Sequence, residues 1–184
     1  LEGCNYGFHV DGNEQFVLQR TNSIVEKPGF KVPEWDLARS FRFAEKVKEM
    51  QEILPANETL TLTGEFVGPG CDAGNHYKLP SPRVYFFDIR RNGQFVDAYE
   101  QYELFSHAQM NLWTVPVIAR AVKLRDWLAG RTIREAAHGQ SLLNPDVLRE
   151  GIVIRPMREM RDPRIGRLIL KQRDPIYLAK TGRG

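Results

Sequence analysis

The chain opens with Leu1-Glu2-Gly3-Cys4-Asn5-Tyr6-Gly7, a Glu-Gly pair that leads straight into a segment with alternating apolar residues. Residues 5–10 and 14–20 alternate on either side of Asp11-Gly12-Asn13, whose residue types favour a tight turn. The pattern predicts two antiparallel strands joined as a hairpin. A Glu-Gly pair at the start of a strand is a weak functional signal by itself, so its meaning depends on the rest of the chain.

Further strands are predicted in later parts of the chain. Residues 59–66 alternate between apolar and polar side chains, which places Glu65 on the polar face of a strand. Residues 83–91 form a strongly apolar run, and Asn92-Gly93 is a hairpin turn that leads into residues 94–98. The other predicted strands lie at 115–118, 151–156 and 167–173, with a polar, basic loop between the last two.

Helical periodicity occurs in the intervening segments. Apolar residues recur at helical spacing from 34 to 54 with charged residues mostly opposite, which predicts one amphipathic surface helix. Residues 99–110 and 122–138 are also predicted to be helical, the second interrupted near Gly130. Because strands and helices do not alternate as regular βαβ units, the predicted fold class is α+β, with antiparallel sheets flanked by helices.

The composition is ordinary for a folded protein. A length of 184 residues favours one domain, covering residues 1–184. Hydrophobic residues make up 42% and charged residues 27% of the chain, which allows a sizeable core. No apolar run approaches the ~20 residues that a membrane helix needs. Two cysteines without zinc-type spacing exclude a disulfide framework, so a reducing, cytoplasmic location is expected.

The positive charge is concentrated near the C-terminal end. Residues 149–184 hold ten Lys and Arg against four Asp and Glu, whereas the remainder carries sixteen against nineteen. A basic stretch beside a slightly acidic body indicates a polyanion or phosphate partner. A solvated basic surface is the simpler interpretation of this stretch taken alone.

Two cations within the basic stretch have a specific arrangement. Lys171 and Arg173 are two positions apart in a predicted strand, so both side chains lie on one face and can address one phosphate. The neighbouring Leu168 and Leu170 are expected to pack on the opposite face. An exposed strand lysine is the ordinary interpretation of Lys171 by itself.

Glu65 and Glu150 both border a glycine at predicted strand positions. One carboxylate can accept a hydrogen bond from a ribose hydroxyl, and the other can hold a hydrated metal ion that is bound to phosphates. Because Glu150 shares strand parity with Ile152 and Ile154, its side chain is expected to point inwards. Two ordinary surface glutamates are the alternative.

An aromatic ring and an arginine complete the candidate residues. Phe87 lies in an aromatic run that is most often core, but a ring there can also stack on a purine base. Arg20, at the end of the second predicted strand, can clamp a phosphate through two hydrogen bonds, or can be an ordinary strand-end arginine. A second group forms no recognisable constellation and is interpreted as structural: Cys4, Cys71, His9, His76, His107 and His138.

Five stretches, in their order and approximate spacing, resemble the motifs of the covalent nucleotidyltransferases, and especially those of the nick-sealing RNA ligases. The stretches are Leu1-Glu2-Gly3-Cys4-Asn5, Gly64-Glu65-Phe66-Val67-Gly68-Pro69-Gly70, Phe86-Phe87-Asp88-Ile89, Glu150-Gly151-Ile152-Val153-Ile154-Arg155 and Leu170-Lys171-Gln172-Arg173. In that superfamily the first motif is Lys-x-(Asp, Glu or His)-Gly, and its lysine is the nucleophile. The resemblance therefore implies a lysine immediately before Leu1, with the present chain starting just after it.

The resemblance also implies how ATP is bound. The expected lysine accepts AMP from ATP as a covalent adduct, with Leu1 beside it among the nucleotide-binding residues. Glu65 binds the ribose and Phe87 stacks on adenine. Glu150 serves a Mg²⁺ or Mn²⁺ ion, and it is counted as both a catalytic and a nucleotide-binding residue.

The remaining catalytic residues are also implied by resemblance. Lys171 and Arg173 hold the α-phosphate, Arg20 the reacting phosphate, and Asn5 supports sealing. Glu2 stands where some of these ligases carry a histidine. Arg173 stands where several relatives have a second lysine, and the two cations differ in geometry.

By resemblance, the activity is the ATP-dependent sealing of 3′-hydroxyl and 5′-phosphate ends in nicked or broken RNA, including RNA in a duplex with DNA or RNA. RNA repair is the implied role of a monomer with a further domain beyond residues 1–184. Three alternatives remain open: a DNA ligase, an mRNA-capping guanylyltransferase, and a catalytically inactive module of the same fold that only binds nucleic acid. The residue before Leu1 separates the last of these from the enzymes.

Overall fold

The computed structural model of the chain describes residues 1–12, 14–19, 22–26, 29, 31–54, 58–106 and 112–182. The chain divides into two compact units, one made of residues 2–115 and a smaller one made of Leu1 with residues 116–184. Asn13 of the predicted turn and residues 107–110 of a predicted helix lie outside the described residues. Within the described ranges, no helix combines the length and the apolar character that crossing a membrane requires.

The larger unit contains a six-stranded sheet in which every neighbouring pair of strands is antiparallel. Its strands are β1 (Cys4–Asp11), β2 (Glu14–Gln19), β3 (Asn22–Ile24), β4 (Leu60–Val67), β5 (Arg83–Arg91) and β6 (Gln94–Phe95). Their order across the sheet is β3-β2-β1-β4-β5-β6. The predicted α+β class, the opening hairpin and the strands at 59–66 and 83–91 are therefore confirmed.

One face of this sheet forms the hydrophobic core of the larger unit, because apolar side chains alternate along its strands. Tyr6 of β1 and Phe86 of β5 are fully buried, and their ring centroids lie 6.4 Å apart at a steep angle. The Phe43 ring meets the Phe86 ring edge to face at 5.2 Å. Such edge contacts stabilise aromatic pairs beyond their area burial.

Among the described residues of the larger unit there are three helices: α1 (Pro33–Ser40), α2 (Phe43–Glu52) and α3 (Ala98–Ser106). The prediction of a single helix at 34–54 is wrong, because the chain is left-handed at Arg42, with φ of +53°. A left-handed residue ends an α-helix. The break allows Leu37 of α1 and Phe43 of α2 to be buried in the same core.

The smaller unit contains short elements and two two-stranded antiparallel sheets, β7 with β10 and β8 with β9. The elements are α4 (Leu124–Leu128), α5 (Ile133–Ala137), β7 (Gly151–Ile154), β8 (Arg161–Asp162), β9 (Gly166–Arg167), β10 (Leu170–Arg173) and α6 (Pro175–Thr181). The helical prediction at 122–138 is confirmed, including its interruption. The loop predicted between 156 and 167 is instead a hairpin made of β8 and β9.

Two predictions for the second half of the chain are wrong, and one helix was missed. Helix α6 was not predicted, although Asp174 caps it by accepting a hydrogen bond from the backbone N–H of Ile176 and a proline follows at the first helical position. No strand forms at 115–118; Thr114 makes an isolated bridge to Phe86 instead. Leu168 and Leu170 are exposed rather than packed.

Candidate active site

In the larger unit, the polar face of the central strands brings Asn5 and Glu65 together. Asn5 of β1 is the direct cross-strand partner of Glu65 of β4. Paired residues of an antiparallel ladder point to the same face, and this face is opposite the one that buries Tyr6 and Phe66. Both Asn5 and Glu65 are partly buried. The predicted polar position of Glu65 is therefore confirmed.

A β-bulge places Phe87 beside these residues. The register of β4 with β5 shifts between Thr63 and Gly64, so that Phe87 has no direct partner in β4. Glu65 pairs with Tyr85, and Phe87 lies two residues further along β5 on that face. Bulges re-aim side chains and are frequent beside active sites. Phe87 is partly exposed, whereas the neighbouring Phe86 is fully buried.

Glu2 lies in a buried polar setting within the larger unit. Its backbone N–H donates to the hydroxyl oxygen of Tyr77 at 2.7 Å, and its Oε2 atom lies 3.5 Å from Nδ1 of His76. The Tyr77 side chain is almost fully buried and is therefore fixed in place. The motif glycine that follows is sterically required, since a Cβ on Gly3 would lie 2.2 Å from the carbonyl oxygen of Phe66.

The cysteines and histidines that were interpreted as structural make local contacts. Besides the contact of His76 with Glu2, the Sγ atoms of Cys4 and Cys71 lie 2.9 Å apart. Burial raises the pKa of the Cys71 thiol to about 12, which makes it unreactive at neutral pH. His107 lies outside the described residues.

The smaller unit holds a compact charged cluster around Glu150. The Oε1 atom of Glu150 lies 3.0 Å from Nζ of Lys171 and 3.2 Å from Nε of Arg173. The backbone nitrogen of Leu1 lies 3.8 Å from Oε2 of the same carboxylate. Glu150 is buried at 8% exposure, whereas both cations keep about half of their side chains in solvent. The cluster can therefore offer two positively charged groups to an anion.

The buried carboxylate was expected for the wrong reason. In the ladder of β10 with β7, Lys171 pairs with Val153 and Arg173 with Gly151, so both cations lie on the face opposite Ile152. Glu150 precedes β7, and its carboxylate reaches the cation face instead of following the parity of Ile152. Two cations within hydrogen-bonding range compensate the free-energy cost of burying this carboxylate. Burial of the same charge without a partner would be strongly destabilising.

Close strand approach fixes this cluster. A Cβ on Gly151 would lie 2.1 Å from the carbonyl oxygen of Gln172 and 2.7 Å from Cα of Arg173. Only glycine permits strands β7 and β10 to come so close. The backbone N–H of Asp174 then donates to the carbonyl oxygen of Glu150 at 2.8 Å. The glycine after Glu150 is therefore required by packing.

A supporting network around the cluster was missed by the sequence interpretation. The Arg149 guanidinium donates to the carbonyl oxygens of Ala136, Ala137 and His138, at the C-terminal end of α5. The ring Nδ1 of His138 lies 2.9 Å from Oδ2 of Asp174, whose side chain is fully buried. Arg149 and Asp174 carry no recognisable sequence signal for this network, because the residues that they contact in it are 11 to 36 positions away in the chain.

The predicted site residues fall into two groups, one in each unit. Asn5, Glu65 and Phe87 share one face of the larger sheet, with Glu2 at the start of β1. A second group in the smaller unit consists of Leu1, Glu150, Lys171 and Arg173. Arg20 lies outside the described residues. The prediction that Glu65, Phe87, Glu150 and Lys171 converge on one nucleotide pocket stays a prediction.

The carboxylate of Glu150 is the group that would hold the implied metal ion. No group of three or more His, Cys, Asp or Glu side chains suited to a metal occurs among the residues that the structure describes. A hydrated Mg²⁺ needs only one or two carboxylates, since nucleotide phosphates and water supply its other ligands. The buried carboxylate of Glu150, beside cations that also favour phosphate, fits that requirement.

Comparison with known proteins identifies a family and a set of similar structures. Residues 1–173 match the sequence model of a family described as RNA ligase. Nothing among the curated proteins matches the chain at a significant level. The solved structures that match include Naegleria gruberi RNA ligase with pyrophosphate, at a TM-score of 0.76 and 24% identity, over 100% of this chain and 50% of that one.

Two variants of the Naegleria gruberi enzyme also match. One, with a lysine changed to alanine and with ATP and Mn, has a TM-score of 0.75 and 24% identity over 98% of this chain and 49% of its own. The other, with a lysine changed to methionine and with AMP and Mn, has a TM-score of 0.76 and 23% identity over the same shares. The chain therefore spans about half the length of these ligases, and it shares their fold.

Proposed function

The chain belongs to the RNA ligase family, and from that membership we propose that residues 1–184 are the adenylating domain of an ATP-dependent enzyme that seals 3′-hydroxyl and 5′-phosphate ends of RNA. The observation that carries the proposal is the cluster of Glu150, Lys171 and Arg173, with the backbone nitrogen of Leu1 only 3.8 Å from the Glu150 carboxylate. The lysine that we propose before Leu1 would be bonded to that nitrogen, which would start its backbone beside the cluster.

In the proposed first step, the lysine before Leu1 attacks the α-phosphorus of ATP with its neutral amine. A nitrogen–phosphorus bond forms, the bond to the bridging oxygen breaks, and pyrophosphate leaves while the amine gives up a proton. Lys171 and Arg173 hold the α-phosphate, where negative charge develops. A Mg²⁺ or Mn²⁺ ion held by Glu150 would add neutralising charge on the phosphates.

The later steps move AMP and then release it. The 5′-phosphate of one RNA end attacks the adenylated lysine and takes AMP, which regenerates the amine. The 3′-hydroxyl of the other end then attacks that 5′-phosphate, loses its proton and displaces AMP. We propose that Asn5 supports this sealing step and that Arg20 binds the reacting phosphate. Glu2 is proposed to help orient the nucleophilic lysine.

The identity of the nucleophile is the first prediction. We expect the gene to encode lysine immediately before Leu1, and the protein extended by that lysine to become labelled by ATP that carries a radioactive α-phosphate. Changing only this lysine to arginine should abolish the label, since arginine stays protonated in proteins. Any other encoded residue, or label that survives the change, would contradict the covalent mechanism.

The same assay separates the other activities of this superfamily. Labelling by GTP instead of ATP would indicate a capping guanylyltransferase, and sealing of nicked DNA but not nicked RNA would indicate a DNA ligase. Binding of RNA without any adduct would indicate an inactive module. We expect labelling by ATP, followed by loss of the label and gain of a sealed strand when a nicked RNA duplex is added.

The second prediction concerns nucleotide binding by the larger unit. Changing Phe87 to Ala should weaken ATP binding by about 5- to 150-fold, because base–aromatic stacking contributes about 1–3 kcal/mol. Equilibrium binding of ATP measures this effect. Tyr99→Ala is the control, since Tyr99 is an exposed aromatic residue of the same unit outside the proposed binding face. Equal losses for both variants, or no loss for Phe87→Ala, would contradict the stacking role.

A further inference from the structure

The hairpin between β7 and β10 concentrates the positive charge of the chain. Residues 155–167 contain five arginines, one glutamate and one aspartate, which is a net charge of +3. The whole chain has 26 Lys and Arg and 23 Asp and Glu, so the remaining residues balance at 21 of each. All five cations are arginines, which bind phosphate through a planar fork with two hydrogen bonds.

The hairpin is an ordered element with a defined tip. Arg161 pairs with Arg167 and Asp162 with Gly166, and the backbone N–H of Leu168 donates to the carbonyl oxygen of Met160 at 2.8 Å. At the tip, the Asp162 carboxylate accepts a hydrogen bond from the backbone N–H of Arg164 at 2.8 Å. These bonds fix the backbone that presents the arginines.

The arginines of the hairpin are only partly neutralised by its acidic residues. Arg161 and Arg167 stand directly opposite each other, and like charges in that arrangement destabilise a ladder. Glu159 compensates Arg167 through an ion pair of 2.8 Å. Arg158, Arg161 and Arg164 are exposed, and the Arg164 side chain keeps 88% of its surface in solvent. Its contact with Asp162, at 3.6 Å and in water, contributes little.

From this arrangement we propose that the β8–β9 hairpin is an RNA-docking surface, which binds the phosphate backbone of the strand to be sealed through Arg158, Arg161 and Arg164. The proposal rests on the proposed function. The hairpin is inserted between β7, which follows Glu150, and β10, which carries Lys171. An RNA strand that is bound to the hairpin is therefore held a short distance along the chain from the cluster of Glu150, Lys171 and Arg173, which we call the adenylating cluster. In this proposal the hairpin supplies affinity for the RNA, and it takes no part in the reaction with ATP.

The test compares two variants of the protein extended by the lysine before Leu1, and both variants lose the same charge. One carries Arg158→Gln, Arg161→Gln and Arg164→Gln. The matched control carries Lys123→Gln, Arg125→Gln and Arg134→Gln, which are exposed residues of the same unit. Adduct formation with ATP alone should equal wild type in both, because neither set includes a residue of the cluster around Glu150. Failure of the wild type to form the adduct would count against the proposed function, whereas the hairpin is judged by RNA binding.

Binding of a short nicked RNA duplex is then measured by fluorescence anisotropy over a range of salt concentrations. Each lost phosphate contact reduces the magnitude of the slope of log affinity against log salt by about 0.9. The hairpin variant loses three arginines, so the magnitude of its slope should be smaller by about 2.7. Between about 50 and 200 mM salt, wild-type affinity should then fall roughly 40-fold more than that of the hairpin variant. The control should keep the wild-type slope.

Two further variants keep the result decisive. Replacing the same three arginines by lysine retains the charge and should restore most of the slope. If the triple glutamine variant melts early, the single Arg164→Gln variant at the solvent-exposed tip should still lower the slope by about 0.9. A wild-type slope in the hairpin variant, or an equal loss in the control, would overturn the proposal.

Discussion

Changing Lys171 to Ala is expected to lower the rate of enzyme–AMP formation by about 100- to 1,000-fold, with little change in stability. A preorganised donor aimed at developing charge is typically worth about 2.7–4 kcal/mol in the transition state. The Nζ atom of Lys171 is 3.0 Å from the buried Glu150 carboxylate on a partly exposed strand face, where a nucleotide phosphate can reach it. Its removal takes one of two cations from the proposed α-phosphate site.

The stability of the Lys171→Ala variant should change little for a structural reason. Arg173 remains 3.2 Å from Glu150 after the change, so the buried carboxylate keeps a cationic partner. Lys171 itself is half exposed, so its removal leaves no buried charge without a partner. Adduct formation with labelled ATP and a thermal melt measure the two effects separately.

Lys180→Ala is the matched control, since Lys180 is an exposed lysine on α6 of the same unit. It should keep both the adduct and the melting temperature. A Lys171→Ala variant with a near-normal adduct would return Lys171 to the class of ordinary strand lysines. Loss of the adduct together with a large loss in melting temperature would mean that the residue is structural.

The second large effect is expected for Gly151→Ala, which should both destabilise the smaller unit and impair adduct formation. The added Cβ would lie 2.1 Å from the carbonyl oxygen of Gln172, which is backbone and cannot turn away. Strands β7 and β10 must then separate, and overpacking of this kind typically costs about 1–3 kcal/mol. The separation also moves Lys171 and Arg173 away from Glu150.

Gly166→Ala is the control that separates the steric clash expected at Gly151 from backbone strain alone. Gly166 has φ of +77° and no atom within 4 Å of its added Cβ. Gly166→Ala should therefore cost stability through strain of about 1–2 kcal/mol, but it should leave adduct formation unchanged. The assay is again the labelled adduct beside a denaturant melt. Equal adduct levels in Gly151→Ala and Gly166→Ala would show that the close approach of β7 and β10 at Gly151 does not position Lys171 and Arg173 beside Glu150.

Several site features were predictable because they depend on neighbours in sequence. Alternation along 59–66 placed Glu65 on the polar face of β4, and the two-residue spacing of Lys171 and Arg173 placed both on one face of β10. The glycines after Glu2 and Glu150 were read as motif positions, and each proves to be a point of close backbone approach. Period-two patterns survive folding whenever one face of a strand is buried.

Other features depend on contacts between distant segments, which no local pattern reports. The bulge beside Phe87 arises from the pairing of β4 with β5. The left-handed residue Arg42 divides a helical periodicity that continues on both sides. The supporting contacts of Arg149 and the fully buried Asp174 likewise join elements that are far apart in sequence.

By itself, the sequence determined the α+β class, the main antiparallel strands and the residue types able to bind a nucleotide, because strand alternation and turn chemistry are local properties. Only the tertiary structure decided that Glu150 is buried against Lys171 and Arg173. Strand parity pointed Glu150 to the other face, and Leu168 and Leu170, expected to be buried, are exposed. The physical reason is that burial is set by the neighbours that folding brings into contact, and the β7–β10 register and the close approach at Gly151 exist only in the folded chain.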